Sequence, residues 1–197
     1  MSSNAALRPQ STPAPTATPV DAASAPESSP PRRWPVAAVR APARPTPAAA
    51  LHSIAAATTV LLALVAIGAV IHEPVLIPPL AASAALVHSA ATLPLAQPRN
   101  VVIGHLVGSV VGYAVLAAAG GSAWAAAVAA GLTLGLNMVA RTPHSPAVAT
   151  AVIIVLQAPA PGRFVPLLFG ATVLLVLTGY AASRVRRKAP SYPVYWW

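Results

Sequence analysis

"QPRNVVIGHLVGSVVGYAVLAAA" occupies residues 97–119, and its last nineteen residues, 101–119, carry no Asp, Glu, Lys or Arg. A run of that length crosses a bilayer, which takes roughly 20 apolar residues. Gly104, Gly108 and Gly112 repeat as GxxxGxxxG. That spacing strips one helix face of side chains and lets another helix approach closely. His105 and Ser109 adjoin this face, so the histidine is predicted to point into protein and not toward lipid. An ionisable group inside a membrane is expensive to keep and tends to mark function. Ahead of it, Pro98 favours a helix start and puts Arg99 and Asn100 in the first turn. There the arginine can snorkel to headgroups and the asparagine can help to cap the helix, or both can line a path.

The rest of the chain agrees with a membrane setting. Its 197 residues are 56% hydrophobic and 8% charged, where soluble domains carry about 25% charged residues. No cysteine is present, which removes disulfides, thiolate metal sites and cysteine nucleophiles. The net charge of +9 is unevenly placed. Asp21 and Glu27 lie in the N-terminal region, and only Glu73 falls among the apolar runs. Arg99, Arg141 and Arg163 sit between those runs. No basic stripe with interleaved aromatics points to nucleic acid; basic flanks instead mark a cytoplasmic side.

Residues 1–49 are rich in Pro, Ala, Ser and Thr, with scattered arginines and no period of 2 or 3.6. They are expected to form a disordered, basic, cytoplasmic tail. No apolar stretch of signal-peptide kind follows the start. The Ala and Pro content suggests a bacterial source, and hence the inner membrane. Residues 50–185 form the predicted transmembrane domain, and 186–197 a short tail whose "SYPVYWW" suits a membrane interface.

Within 50–185 the apolar runs read long, short, long, then long, short, long: 51–71, 74–95, 101–119, 122–140, 145–157 and 164–183. The fold class is all-α, with four long transmembrane helices and two short, proline-started, re-entrant or broken ones. "PLAASAALV" from Pro79 and "PAVATAVII" from Pro146 match in character, with Ser83 and Thr150 both at the fifth position. This pattern predicts an internal duplication. Both basic flanks on one side require an even number of crossings, either six or four.

The fourth run places Thr133, Asn137 and Arg141 on one stripe and adds a second GxxxG, Gly131 and Gly135. The glycines are predicted to serve helix packing, within one chain or in a homo-oligomer. In "RTPHSPAVAT" (141–150), Pro143 and Pro146 prevent a continuous helix, and unpaired backbone at membrane depth is tolerated only in protein or beside a wet cavity. His144 would face that space. Helices that begin at depth present a positive end and free N–H groups, which suit an anion, and paired broken helices point to a transport site. The remaining histidines read more blandly: His52 and His72 at the ends of the first run, His88 in the first short helix. There is no paired carboxylate, HExxH or GxSxG, so no enzyme, cofactor or metal site is expected.

Two segments resemble the HPP family of small integral membrane proteins, usually described with four spanning helices. Gln97, Pro98, Arg99, Asn100, Gly104 and His105 match the family's first signature. Arg141, Thr142, His144, Pro146, Ala147, Ala149, Thr150 and Ala151 match the second. The resemblance covers about residues 51–185. His144-Ser145-Pro146 stands where the family has His-Pro-Pro. Plant and cyanobacterial members are associated with nitrite transport, so the resemblance implies a transporter or channel for a small monovalent anion. Arg99, Arg141 and the short-helix N-termini would then hold the anion, and His105 and His144 would donate hydrogen bonds or carry a proton. Asn100, Asn137, Ser83 and Thr150 would line the path. The other reading is a non-transporting membrane scaffold or regulator that works through its basic N-terminal tail.

Overall fold

A computed structural model describes residues 43–185 and 191–196. The predicted disordered tail therefore lies almost wholly outside the described residues, as does much of the basic stretch after Arg184. Six α-helices follow in order: α1 (Pro47–Ile71), α2 (Pro78–Ser89), α3 (Pro98–Ala119), α4 (Ala123–Val139), α5 (Ser145–Gln157) and α6 (Pro161–Val185). A single 3-10 turn, Pro94–Ala96, stands between α2 and α3. Among the described residues there is no strand.

Three helices, α1, α3 and α6, are long and apolar enough to cross a membrane. The expected fourth, α4, has 17 residues. Ser122 caps its N-terminus by accepting from the Ala125 N–H. Its other end closes when Arg141 adopts a left-handed conformation (φ 57), with Thr142 N–H donating to Asn137 O and Arg141 N–H to Met138 O. A glycine is usual at this position of a Schellman turn. α1 starts four residues before the predicted run, because Thr46 caps it and Pro47 fits its first turn.

Successive helices run in opposite directions between two ends of the bundle. His52 donates to Ala182 O at one end, where Arg99 also donates to Ala140 O. Glu73 pairs with Arg163 at the other, 2.8 Å apart, and Tyr113 O–H donates to Pro159 O near it. This puts Arg99 and Arg141 at the end shared by the start of α1 and the close of α6, and Arg163 at the opposite end. α2 and α5, with 12 and 13 residues, are about 18–20 Å long, short of the roughly 30 Å of a hydrocarbon core. The non-helical segments ahead of them are partly packed inside protein. Val75 is buried where the chain folds back over Gly68, and Thr142 and His144 are buried ahead of α5. This meets the demand that irregular backbone not face lipid.

The apolar packing falls into distinct clusters. Val60, Leu64, Val75, Leu80, Ala84, Leu168, Ala171 and Leu175 join α1, α2 and α6. Val111, Ala125, Ala126, Ala129, Ala151 and Val155 join α3, α4 and α5. The glycine face of α3 meets α5. A Cβ on Gly104 would come 2.7 Å from the His144 Cβ, and one on Gly112 would come 3.0 Å from the Ile154 Cβ. On Gly108 it would collide with the Ala147 carbonyl oxygen. The second glycine pair is different: nothing lies within 4 Å of a Cβ on Gly131 or Gly135. These two glycines are exposed and, among the described residues, pack against no other helix.

Candidate functional site

The crossing of α2, α3 and the start of α5 buries four polar side chains in one cluster. Ser83 is on the inner face of α2, His105 stands beside the glycine face of α3, His144 is the residue just ahead of α5, and Thr150 lies in its second turn. Relative exposure is 0% for Ser83, His105 and Thr150 and 2% for His144. Ser83 Oγ lies 2.8 Å from His105 Nε2 and 2.8 Å from His144 Nε2. The two Nε2 atoms are 3.2 Å apart, and the rings meet edge to face with centroids 4.8 Å apart. His105 Nδ1 is 2.7 Å from Thr150 Oγ1, and His144 Nδ1 is 2.7 Å from Leu95 O. Ser83 Oγ also lies 3.0 Å from Pro79 O, within reach of a donated bond. Every ring nitrogen of the pair therefore has a partner, as buried polar groups require.

The local sequence explains the meeting. Gly104 leaves the room that the His144 side chain fills, so the absent side chain on α3 admits the histidine from α5. Pro143 and Pro146 flank His144, which is extended (φ −149, ψ 96) and ends its segment just ahead of α5.

The other predicted site residues lie elsewhere. Arg99 is half-buried at the rim, where its guanidinium caps α4 through Ala140 O at 3.2 Å, a favourable place for a cation. Arg141 is exposed. Neither arginine contacts the histidine pair, so the expectation that the arginines and histidines share one anion site is not met in this arrangement. The N-terminus of α2 offers no free donors either: Pro78 and Pro79 lack an N–H, and Leu80 and Ala81 both donate to Ile77 O. At α5, Pro146 has no N–H and Ala147 donates to His144 O.

Asn100 does not cap α3. Its Nδ2 donates to Pro94 O at 2.6 Å, and its buried Oδ1 has no partner among the described residues. Asn137 accepts from Thr142 O–H at 3.1 Å. Its Nδ2, with Thr133 Oγ1 one turn away, is left without a partner on the buried face of α4. Such orphans cost free energy unless something else satisfies them.

Two structural residues had no assigned role in the sequence reading. Gln97, fully buried, donates from Nε2 to Ala91 O and Leu93 O and accepts from the Val194 N–H. Tyr192, expected at an interface, is instead 2% exposed; it packs with Val87, Val101 and Val176 and donates to Ala96 O at 2.9 Å. Burial pushes its hydroxyl pKa above the ordinary value of 10.0. Gln97 stood in a recognisable motif, whereas nothing in "SYPVYWW" signals a clamp on a loop far back in the chain.

Two cavities are lined by neither His105 nor His144. One of about 260 Å³ is lined by Glu73, Arg163, Phe164 and neighbours, and one of about 410 Å³ by His52, His88 and Tyr192 among others. Among the described residues, no group of three or more His, Cys, Asp or Glu stands ready for a metal ion.

Long apolar helices, irregular segments partly buried in protein and a buried polar cluster define an integral membrane protein with several helices. The chain belongs to a particular family of these: the model of the HPP transmembrane region matches residues 42–193. It is similar to a transmembrane protein of Dictyostelium discoideum, 39% identical over 132 residues, which are 62% of this chain and 46% of that protein. A second Dictyostelium discoideum transmembrane protein is 37% identical over 126 residues, 59% of this chain and 40% of the relative. The chain thus spans less than half the length of these curated relatives. No solved structure matches.

Proposed function

We propose that the chain is a transporter or channel for a small monovalent anion, nitrite being the substrate that the family resemblance suggests. One observation carries the reading. Ser83 and Thr150, each four residues after a proline (Pro79 and Pro146), approach the two ring nitrogens of the same histidine, His105. Equivalent hydroxyls of two short helices converge on one side chain, as expected if α1–α3 and α4–α6 are duplicated halves. Three helices per half give the halves opposite directions, the inverted-repeat plan that places transport sites at the crossing of broken helices. The basic flanks favour a cytoplasmic side for both the start of α1 and the close of α6, with a bacterial inner membrane as the setting.

The test is uptake of nitrite, nitrate and similar anions into liposomes that hold the purified protein. Flux above that of empty vesicles, lowered by H105A, supports the reading. No flux with any of them, from protein shown to be folded, defeats it.

A second reading has its own support: the histidine pair is fully bonded and closely packed, which a purely structural pin would also require. The protein would then be a scaffold or regulator acting through its basic N-terminal region. Deleting residues 1–42 separates the two. Flux survives the deletion in the first case, and capture of a soluble or anionic-lipid partner is lost in the second.

A further inference from the structure

The protons of the cluster can be placed by elimination. A carbonyl oxygen only accepts, so the bond to Leu95 O requires a proton on His144 Nδ1. With that ring neutral, His144 Nε2 is an acceptor and needs a donor. Two are in reach: the Ser83 hydroxyl at 2.8 Å and His105 Nε2 at 3.2 Å.

Suppose His105 carried its proton on Nδ1. Both Nε2 atoms would then be acceptors, and the single Ser83 proton could serve only one of them. The other lone pair would be buried facing oxygen and nitrogen lone pairs. With the proton on His105 Nε2, every atom is satisfied. Thr150 donates to His105 Nδ1, His105 donates to Ser83, Ser83 donates to His144, and His144 donates to Leu95 O. The neutral cluster is a one-way chain, with its two histidines in opposite tautomers.

The same geometry accommodates one more proton. If His144 Nε2 gains it, Ser83 turns its O–H to Pro79 O, 3.0 Å away, and accepts from both rings. If His105 Nδ1 gains it, Thr150 accepts where it had donated, and its own O–H can turn to a carbonyl of its helix. Either ring can hold the charge without losing a bond. A second proton would set two positive charges 3.2 Å apart in a buried site, which repulsion in so poorly screened a place forbids.

Few other groups face the rings. Ser83 comes from α2, Thr150 from α5 and Leu95 O from the loop before α3; among the described residues no carboxylate, lysine or arginine bonds to either ring. Arg99 is on Ala140 O at the rim, Glu73 is on Arg163 at the other end of the bundle, and His88 has its Nε2 3.5 Å from Thr178 Oγ1.

We propose that Ser83, His105 and His144 form a proton-binding site that takes up one proton per chain. An isolated buried charge is costly, so the protonated pair favours an anion beside it. On the transport reading above, on which this last step rests, a proton and a monovalent anion would move together.

The ring tautomers test the site without any transport. The full chain, labelled with 15N at the imidazoles and held in lipid nanodiscs, is read by long-range proton–nitrogen correlation spectra from pH 8 to pH 4. In the H52Q/H72Q/H88Q variant, only His105 and His144 remain of the five histidines. If that variant does not fold, the three single variants assign their signals by loss. One ring protonated at Nε2 and the other at Nδ1, giving a single imidazolium per chain on acidification, is the expected result. Like tautomers on both rings, two imidazoliums, or no protonation before unfolding overturns the proposal. S83A should leave His105 protonated at Nε2, which then donates directly to His144 Nε2.

In liposomes, an inward proton gradient should raise nitrite uptake severalfold. Uptake indifferent to the gradient overturns the coupling. Absence of any anion uptake defeats the transport reading alone, since the spectra still decide the proton site.

Discussion

His105 Nε2 and His144 Nε2 lie 3.2 Å apart although 39 residues separate them in the chain. The contact exists because α3 has no side chain at Gly104, where a Cβ would come 2.7 Å from that of His144. The glycines of α3 are therefore the part of the sequence that positions the site.

This makes the glycines of α3 and α4 unequal. G108A should destabilise the protein by about 1–3 kcal/mol, because a methyl group meets the Ala147 carbonyl and forces the helices apart. G131A and G135A should be neutral or stabilise by up to about 1 kcal/mol, since alanine favours a helix and the space is open. Unfolding midpoints in detergent, compared across the three variants, check this. Equal effects would mean that the α3–α5 contact is misassigned.

S83A removes a hydroxyl shared by two buried ring nitrogens and should destabilise by about 1–3 kcal/mol. Ser109, one turn from His105, donates only to the His105 carbonyl at 2.9 Å. S109A should therefore change stability by less than about 1 kcal/mol. Denaturation of the two variants side by side gives the contrast.

Ser145, where the family has a proline, is exposed and is the first residue of α5. Proline is well tolerated at a first helical position. S145P should keep the fold and raise stability by about 0.5–1 kcal/mol through the unfolded chain. A fall in the thermal midpoint would show that the serine has a task of its own.

Tyr192 supplies a pH dependence. Its folded pKa is raised, so the stability it contributes is fully present below the ordinary value of 10.0 and is lost as pH rises beyond it. Stability measured from pH 8 upward should decline above about pH 10. Y192F should flatten part of that decline while lowering stability at neutral pH by about 1–2 kcal/mol, through the lost bond to Ala96 O.

Much of this was legible in the chain, and the reasons are local. Long charge-free runs can only be membrane helices, and GxxxG marks close approach, so α3 and its inward histidine could be read directly. The convergence of Ser83 and Thr150 was half legible. The matching prolines and hydroxyls were visible, but the ring that both approach belongs to a third helix. At α4 the helix, Ala123–Val139, follows the predicted run to within one residue at each end, and a left-handed turn at Arg141 closes it without a glycine to announce it. Arg99 and Arg141 stand apart from the histidine pair. Their charge suggested a ligand, while the unpaired carbonyls closing α4 provided a nearer partner for the first. Gly131 and Gly135 carry the same motif as α3 and meet nothing, because spacing predicts a smooth face and not what lies against it.

The apolar clusters give the bundle a mechanical character. One block of α1, α2 and α6 is locked by interdigitated leucines and valines, and another of α3, α4 and α5 by alanines and valines. Ser83 belongs to the first block; His105, His144 and Thr150 belong to or adjoin the second. The seam between the blocks is held by the apolar contact of Val87, Val101, Val176 and Tyr192 and also by hydrogen bonds, which have a preferred direction and a defined length. Grease tolerates sliding, but a latch of this kind is either made or broken. Relative motion of the two blocks would have to break the bonds of Ser83 to both rings as well as slide that apolar contact.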